Sequence, residues 1–129
     1  MGATAWKDIL WISLGAVVGA NLRFLVSRLA MKHLSASLPW GTLIINVSGS
    51  LALGFFMAWA TERALVDPRW RALVAIGFCG AYTTFSSYSF ETFSLFEQGH
   101  YTLAAGNFAA NNLLSLLAVV GGVILARSL

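Results

Sequence analysis

Four apolar stretches, over 9–29, 42–60, 72–95 and 103–126, take up most of this 129-residue chain. A helix needs about 20 apolar residues to cross the hydrocarbon core of a bilayer, and each stretch meets that length. Inside hydrocarbon every backbone N–H and C=O must find its partner within the protein, so such segments become helices. Hydrophobic residues make up 58% of the chain and charged residues 10%, the balance of a protein solvated by lipid. The chain is therefore predicted to be an all-α integral membrane protein, one four-span domain over 1–129 that runs up and down between short turns, with no length left for a separate soluble domain.

The connections carry helix-stopping residues: Pro39 with Trp40, Asp67 with Pro68, and Gln98 with Gly99. Trp6, Trp40, Trp59 and Trp70 fall at or beside the predicted ends, where an indole keeps its ring in the apolar layer and its N–H wet. Only Lys7 stands before the first apolar stretch as a cation, and no small-residue cleavage pattern follows, so that stretch is expected to be retained as a span. Lys7, Arg63, Arg69, Arg71 and Arg127 lie on the side of the termini, Arg28 and Lys32 on the other, and Arg23 within a span. This modest bias favours cytoplasmic termini if one orientation is chosen, and leaves insertion both ways open. The net charge of +3 is too slight to argue for nucleic acid. Cys79 is the single cysteine, with no further Cys or His at ligand spacing, so neither an intrachain disulfide nor a structural zinc-type site is expected. There is no internal repeat, so any symmetry has to come from a second copy.

The polar residues inside the spans are the informative ones, because an unpaired donor or charge in hydrocarbon is strongly unfavourable and must face protein or water. In the first span Gly15, Gly19 and Arg23 follow one another at intervals of four. The glycines suit close helix approach, and Arg23 either snorkels to the interface or lines a wet vestibule. Thr42, Asn46 and Ser50 form one polar line on the second span, and Asn107, Asn111 and Ser115 form another on the fourth. Such stripes either tie helices together or line a path for an ion that trades water for protein donors. Asn112 points about 100° away from the second stripe and is assigned to packing or to a partner chain.

The third span carries Gly77, Cys79, Gly80, Thr83, Thr84, Ser86, Ser87 and Ser89 ahead of Glu91. Glycines beside a threonine pair suit an unwound segment, since hydroxyls can bond the backbone groups that a break sets free. Broken helices at membrane depth mark ion sites, and freed carbonyls are hard oxygen ligands suited to a small cation; a kinked, packed helix is the plainer alternative. Phe85 and Tyr88, three residues apart, share a side of the helix after the break. Aromatic edges are electropositive and can receive an anion without trapping it, although core packing is the commoner use of such a pair.

These residues resemble those of the Fluc fluoride channels, also called CrcB proteins. The resemblance is carried by Gly15-x-x-x-Gly19 with Arg23, by Pro39-x-Gly41-Thr42-Leu43 with Asn46 and Gly49, and by Gly77-Phe-Cys-Gly80-Ala-Tyr-Thr83-Thr84-Phe85-Ser86-Ser87-Tyr88-Ser89 with Glu91. It implies an antiparallel, dual-topology homodimer in the inner (plasma) membrane, with two fluoride pathways and a structural sodium ion on the two-fold axis. It further implies sodium ligation by the backbone carbonyls of Gly80 and Thr83, and an aromatic pair at Phe85 and Tyr88. The implied pathway takes in Asn46, Thr84, Ser86, Ser87, Asn111 and Ser115, with Arg23 and Glu91 at the vestibules. Tyr88 departs from the family pattern, in which phenylalanine is common at that position, and Asn111 stands where the family varies.

The function expected on this basis is passive, fluoride-selective export that confers fluoride resistance. The chosen alternative is a small multidrug-type proton-coupled antiporter, which needs a membrane-embedded acid. Glu91 is the candidate carboxylate, and its replacement by Gln separates the two readings: it abolishes antiport and leaves a channel largely intact. A non-transporting assembly subunit would use its polar residues for helix association alone. An enzyme is not expected, since no nucleophile–base pair or metal-ligand cluster is apparent.

Overall fold

The computed structural model describes residues 3–63 and 66–129. Helix α1 spans Ala3–His33 and α2 spans Trp40–Glu62. A third helical stretch, α3 (68–82), is built from an α turn at Pro68–Trp70, π-type pairing over Arg71–Cys79 and a final α turn at Gly80–Tyr82. Helix α4 spans Phe85–Glu97 and α5 spans Tyr101–Arg127. The helices begin and end where local chemistry directs. The Asp67 carboxylate accepts from the Arg69 N–H at 2.9 Å and Pro68 opens the helix, the arrangement in which a proline's missing N–H is no loss. At the end of α4, Gly99 has φ of +79°. Its N–H bonds Phe96 O at 3.0 Å and the His100 N–H bonds Leu95 O at 2.9 Å, a Schellman turn that only glycine enters without strain.

Among the described residues three helices are long and apolar enough to cross a membrane: Ala5–His33, Trp40–Glu62 and Tyr101–Arg127. The expected third span over 72–95 is instead two shorter helices, α3 and α4, interrupted at Thr83 (φ −80°, ψ 159°) and Thr84 (φ −150°, ψ 118°), both extended. The break near the middle of this stretch matches the sequence expectation, but it falls on the threonines alone. Gly77 lies within the π-paired segment and Gly80 in the following α turn. The π pairing itself has no counterpart in the sequence reading.

Packing follows from the small residues. Helix α1 lies along α3, α2 lies along α5, and α4 folds back on α5. A β-carbon at Gly15 would collide with the Leu73 carbonyl and stand 2.8 Å from Phe78 N. One at Gly77 would meet the Ile12 carbonyl, with the Gly15 Cα at 3.1 Å. The two backbones touch here, as small-residue helix interfaces in membranes allow. The glycines that suggested unwinding thus include one, Gly77, whose role is close approach.

Candidate functional site

The break is held open by a side chain from another helix. Asn46, on α2, accepts from the Thr84 N–H through Oδ1 at 2.8 Å and donates from Nδ2 to the Thr84 carbonyl at 3.0 Å. Its second amide hydrogen goes to Asn111 Oδ1 on α5, also at 3.0 Å. The Thr84 hydroxyl, buried at the N-cap of α4, accepts from the Ser87 N–H at 3.2 Å and donates to Ser87 Oγ at 3.1 Å, so the opening turn of α4 is capped without water. In an unbroken helix the N–H groups of Thr84 and Ser87 would close on the carbonyls of Gly80 and Thr83, four residues earlier. Both donors are diverted, to Asn46 and to the Thr84 hydroxyl. The carbonyls of Gly80 and Thr83 therefore lose their helical donors.

From Asn111 the hydrogen bonds run on along α5 and across to α4. Asn111 Nδ2 donates to Asn107 Oδ1 at 3.0 Å, Asn107 Nδ2 to Thr92 Oγ1 at 2.9 Å, and Thr92 Oγ1 to the Tyr88 carbonyl at 2.8 Å. Asn107 and Asn111 are only 2% and 5% exposed, so this chain of amides joins α2, α4 and α5 in a setting where an unmet amide would be strongly destabilising.

Beside it lies a cavity of about 290 Å³. Asn46, Thr84, Phe85, Tyr88, Asn111 and Ser115 line it, drawn from α2, the break, α4 and α5, and no charged side chain faces it among the described residues. Ser115 Oγ is buried there and has no hydrogen-bond partner among the described residues. The rings of Phe85 and Tyr88 meet edge to face, with centroids 5.3 Å apart at 64°. Phe85 is 77% exposed while Tyr88 is 6% exposed, so one ring stands on the outer rim and the other is set into the wall. Ser86 and Ser87, also expected along the path, do not line this cavity.

The two vestibule residues part company. Glu91 lines a separate cavity of about 560 Å³ with Ser27, Ser94 and Gln98. Its Oε1 accepts from Thr42 Oγ1 at 2.8 Å, and Oε2 is buried with no partner among the described residues. Arg23 is half-buried, lines neither cavity and forms no ion pair among the described residues. Asn112, expected to serve packing or a partner chain, ties α5 to α4 by donating from Nδ2 to Tyr88 Oη and to the Phe108 carbonyl, each at 2.8 Å, and also lines the smaller cavity, which the sequence reading did not foresee. A signal was available: a buried tyrosine hydroxyl needs a polar partner, and Asn112 is an amide adjacent to the Asn111 stripe.

The model of the family described as "CrcB-like protein, Camphor Resistance (CrcB)" matches residues 10–123. The chain belongs to the CrcB-like family. The matched range encloses every residue of the site from Asn46 to Ser115. Among its relatives, a protein of Koribacter versatilis named "Fluoride-specific ion channel FluC" is 54% identical over 125 residues, covering 97% of this chain and 99% of the relative. Proteins with the same name from a Sulfurihydrogenibium species and from Trichormus variabilis are 47% and 42% identical, covering 95% and 90% of this chain and 99% and 85% of the relatives. These are channels by name and not enzymes. Together with the apolar helices, this family membership makes the chain a multi-pass membrane protein.

Proposed function

We propose that this protein is a passive, fluoride-selective channel that lets fluoride leave the cytoplasm and so confers resistance to it. The observation that carries the reading is the uncharged cavity in which an unpartnered buried hydroxyl, Ser115 Oγ, shares walls with the Phe85 and Tyr88 rings. Fluoride is small and strongly hydrated, so its passage needs closely spaced donors that replace water, each weak enough to let go. Hydroxyls and aromatic edges meet that need where a lysine or arginine would trap the anion. Fluoride enters cells as the weak acid HF and dissociates inside, and a negative interior drives the anion out through such a path without coupling.

The proposed working unit is a homodimer of four-span subunits in the inner (plasma) membrane, with α3 and α4 together making the third span and the two copies antiparallel. The exposed Phe85 at the cavity rim supports a second copy, since one chain alone leaves that wall open. Sodium as a structural ion fits the donor set: the carbonyls of Gly80 and Thr83, deprived of their helical donors, are hard oxygen ligands, and a β-carbon at Gly80 would find no atom nearer than 3.9 Å. When bound there, the ion would supply fixed positive charge that holds the two breaks together. The antiporter alternative gains nothing from the relatives, and the acid it requires, Glu91, lies outside the 290 Å³ cavity.

The test is purified protein in liposomes loaded with fluoride, read by a fluoride electrode beside a chloride control. Rapid fluoride release with chloride retained is the expected result. Equal release of both ions would remove the selectivity, and no release at all from correctly assembled protein would remove the function.

A further inference from the structure

We propose that Asn112 is a positioning residue that turns the Tyr88 hydroxyl into a hydrogen-bond donor for the passing anion, an addition to the pathway particular to chains with tyrosine at this position. The inference rests on the fluoride reading above. The carbonyl of Phe108 only accepts, so the Asn112 amide atom 2.8 Å from it must be the NH₂ group. That same nitrogen stands 2.8 Å from Tyr88 Oη. Both hydrogens of the NH₂ are then engaged, one on each oxygen, and Tyr88 Oη must act as the acceptor. The phenol hydrogen is directed elsewhere, yet Tyr88 Oη has no acceptor for it among the described residues. Tyr88 and Asn112 both line the 290 Å³ cavity, and the ring is set into its wall with 6% exposure. A buried O–H without an acceptor, beside an uncharged cavity that also holds the unpartnered Ser115 Oγ, is completed by an anion. A sodium ion would be repelled by the same hydrogen.

The experiment records single-channel current against fluoride concentration in planar bilayers, which separates half-saturation from maximal current. Tyr88→Phe keeps the ring and deletes the donor, and it should raise the half-saturating fluoride concentration about tenfold, the lower range for a hydrogen bond to a charged group, without lowering the maximum. Asn112→Leu removes the orienting amide and should raise half-saturation several-fold in the parent chain, with no additional shift when combined with Tyr88→Phe. Should the leucine variant fail to assemble, Asn112→Thr, too short to reach Oη, replaces it in the same cycle. An unchanged half-saturation in Tyr88→Phe, or an Asn112 effect that persists in the Tyr88→Phe background, would overturn the inference while leaving the channel standing. Absence of fluoride current from the parent chain would instead overturn the channel reading beneath it.

Discussion

Asn46 holds both backbone polar groups of Thr84 and the side-chain carbonyl of Asn111 at once. Its two amide hydrogens are taken, so in this structure the residue that the family pattern places along the path acts as the clamp on the break. Asn46→Leu keeps the size and leaves the Thr84 N–H, the Thr84 carbonyl and Asn111 Oδ1 without this partner. The variant should lose about 2 kcal/mol of stability or more, read as an earlier midpoint in thermal unfolding in detergent. Phe85 has the opposite character, since it is 77% exposed and bonded to nothing polar. Phe85→Ile should suppress fluoride flux several-fold in the liposome assay with the oligomer intact by gel filtration, because the aliphatic side chain fills space but lacks the electropositive ring edge.

At the scale of elements, the helix contacts depend on backbone meeting backbone, and a side chain cannot yield there. Gly15→Val would drive its β-carbon into the Leu73 carbonyl, so α1 and α3 must separate, at a cost of about 3 kcal/mol or more and with loss of assembled protein on gel filtration. Gly106, on the exposed face of α5, has open space where a methyl would stand, with nothing within 4 Å. Gly106→Ala should leave assembly unchanged and raise the thermal midpoint slightly, since alanine is the better helix former by up to about 1 kcal/mol. The ends of these elements were readable from local residues: Asp67 and Pro68 at the start of α3, Gly99 at the end of α4. The π pairing over Arg71–Cys79 was not, because no residue type announces it and its hydrogen bonds shift by one place without changing the apolar pattern.

For the whole molecule, the proposed homodimer would set a second copy against the exposed rim at Phe85 and the carbonyls of Gly80 and Thr83, which lack their helical donors. If two copies insert in opposite senses, Ser128→Cys, exposed at the end of α5, should be labelled by an impermeant thiol reagent about half from each side of the membrane, a fraction set by dual topology; native Cys79 is 1% exposed and contributes little background. Labelling from one side alone would refute the antiparallel arrangement. If sodium joins the copies, purification in a sodium-free buffer should shift the protein towards the monomer on gel filtration or collapse its flux, and readdition of sodium should restore it.

Residue order alone pointed to a helical chain in a bilayer, to two inward polar stripes, and to an irregular third stretch somewhere among Gly77, Gly80, Thr83 and Thr84; the structure placed the break on the two threonines. Hydrocarbon leaves a backbone only one way to satisfy itself, so spans, stripes and breaks are written in short-range patterns. Which polar groups still have a hydrogen to offer or a lone pair unmet emerged only once the helices were packed. Asn46 closes on Thr84 and Asn111 across 38 and 65 positions of the chain, and Asn112 reaches Tyr88 across 24, while Ser115 is left without a partner among the described residues. Hydrogen-bond satisfaction is a competition among groups far apart in sequence, and its outcome is settled by how the helices pack.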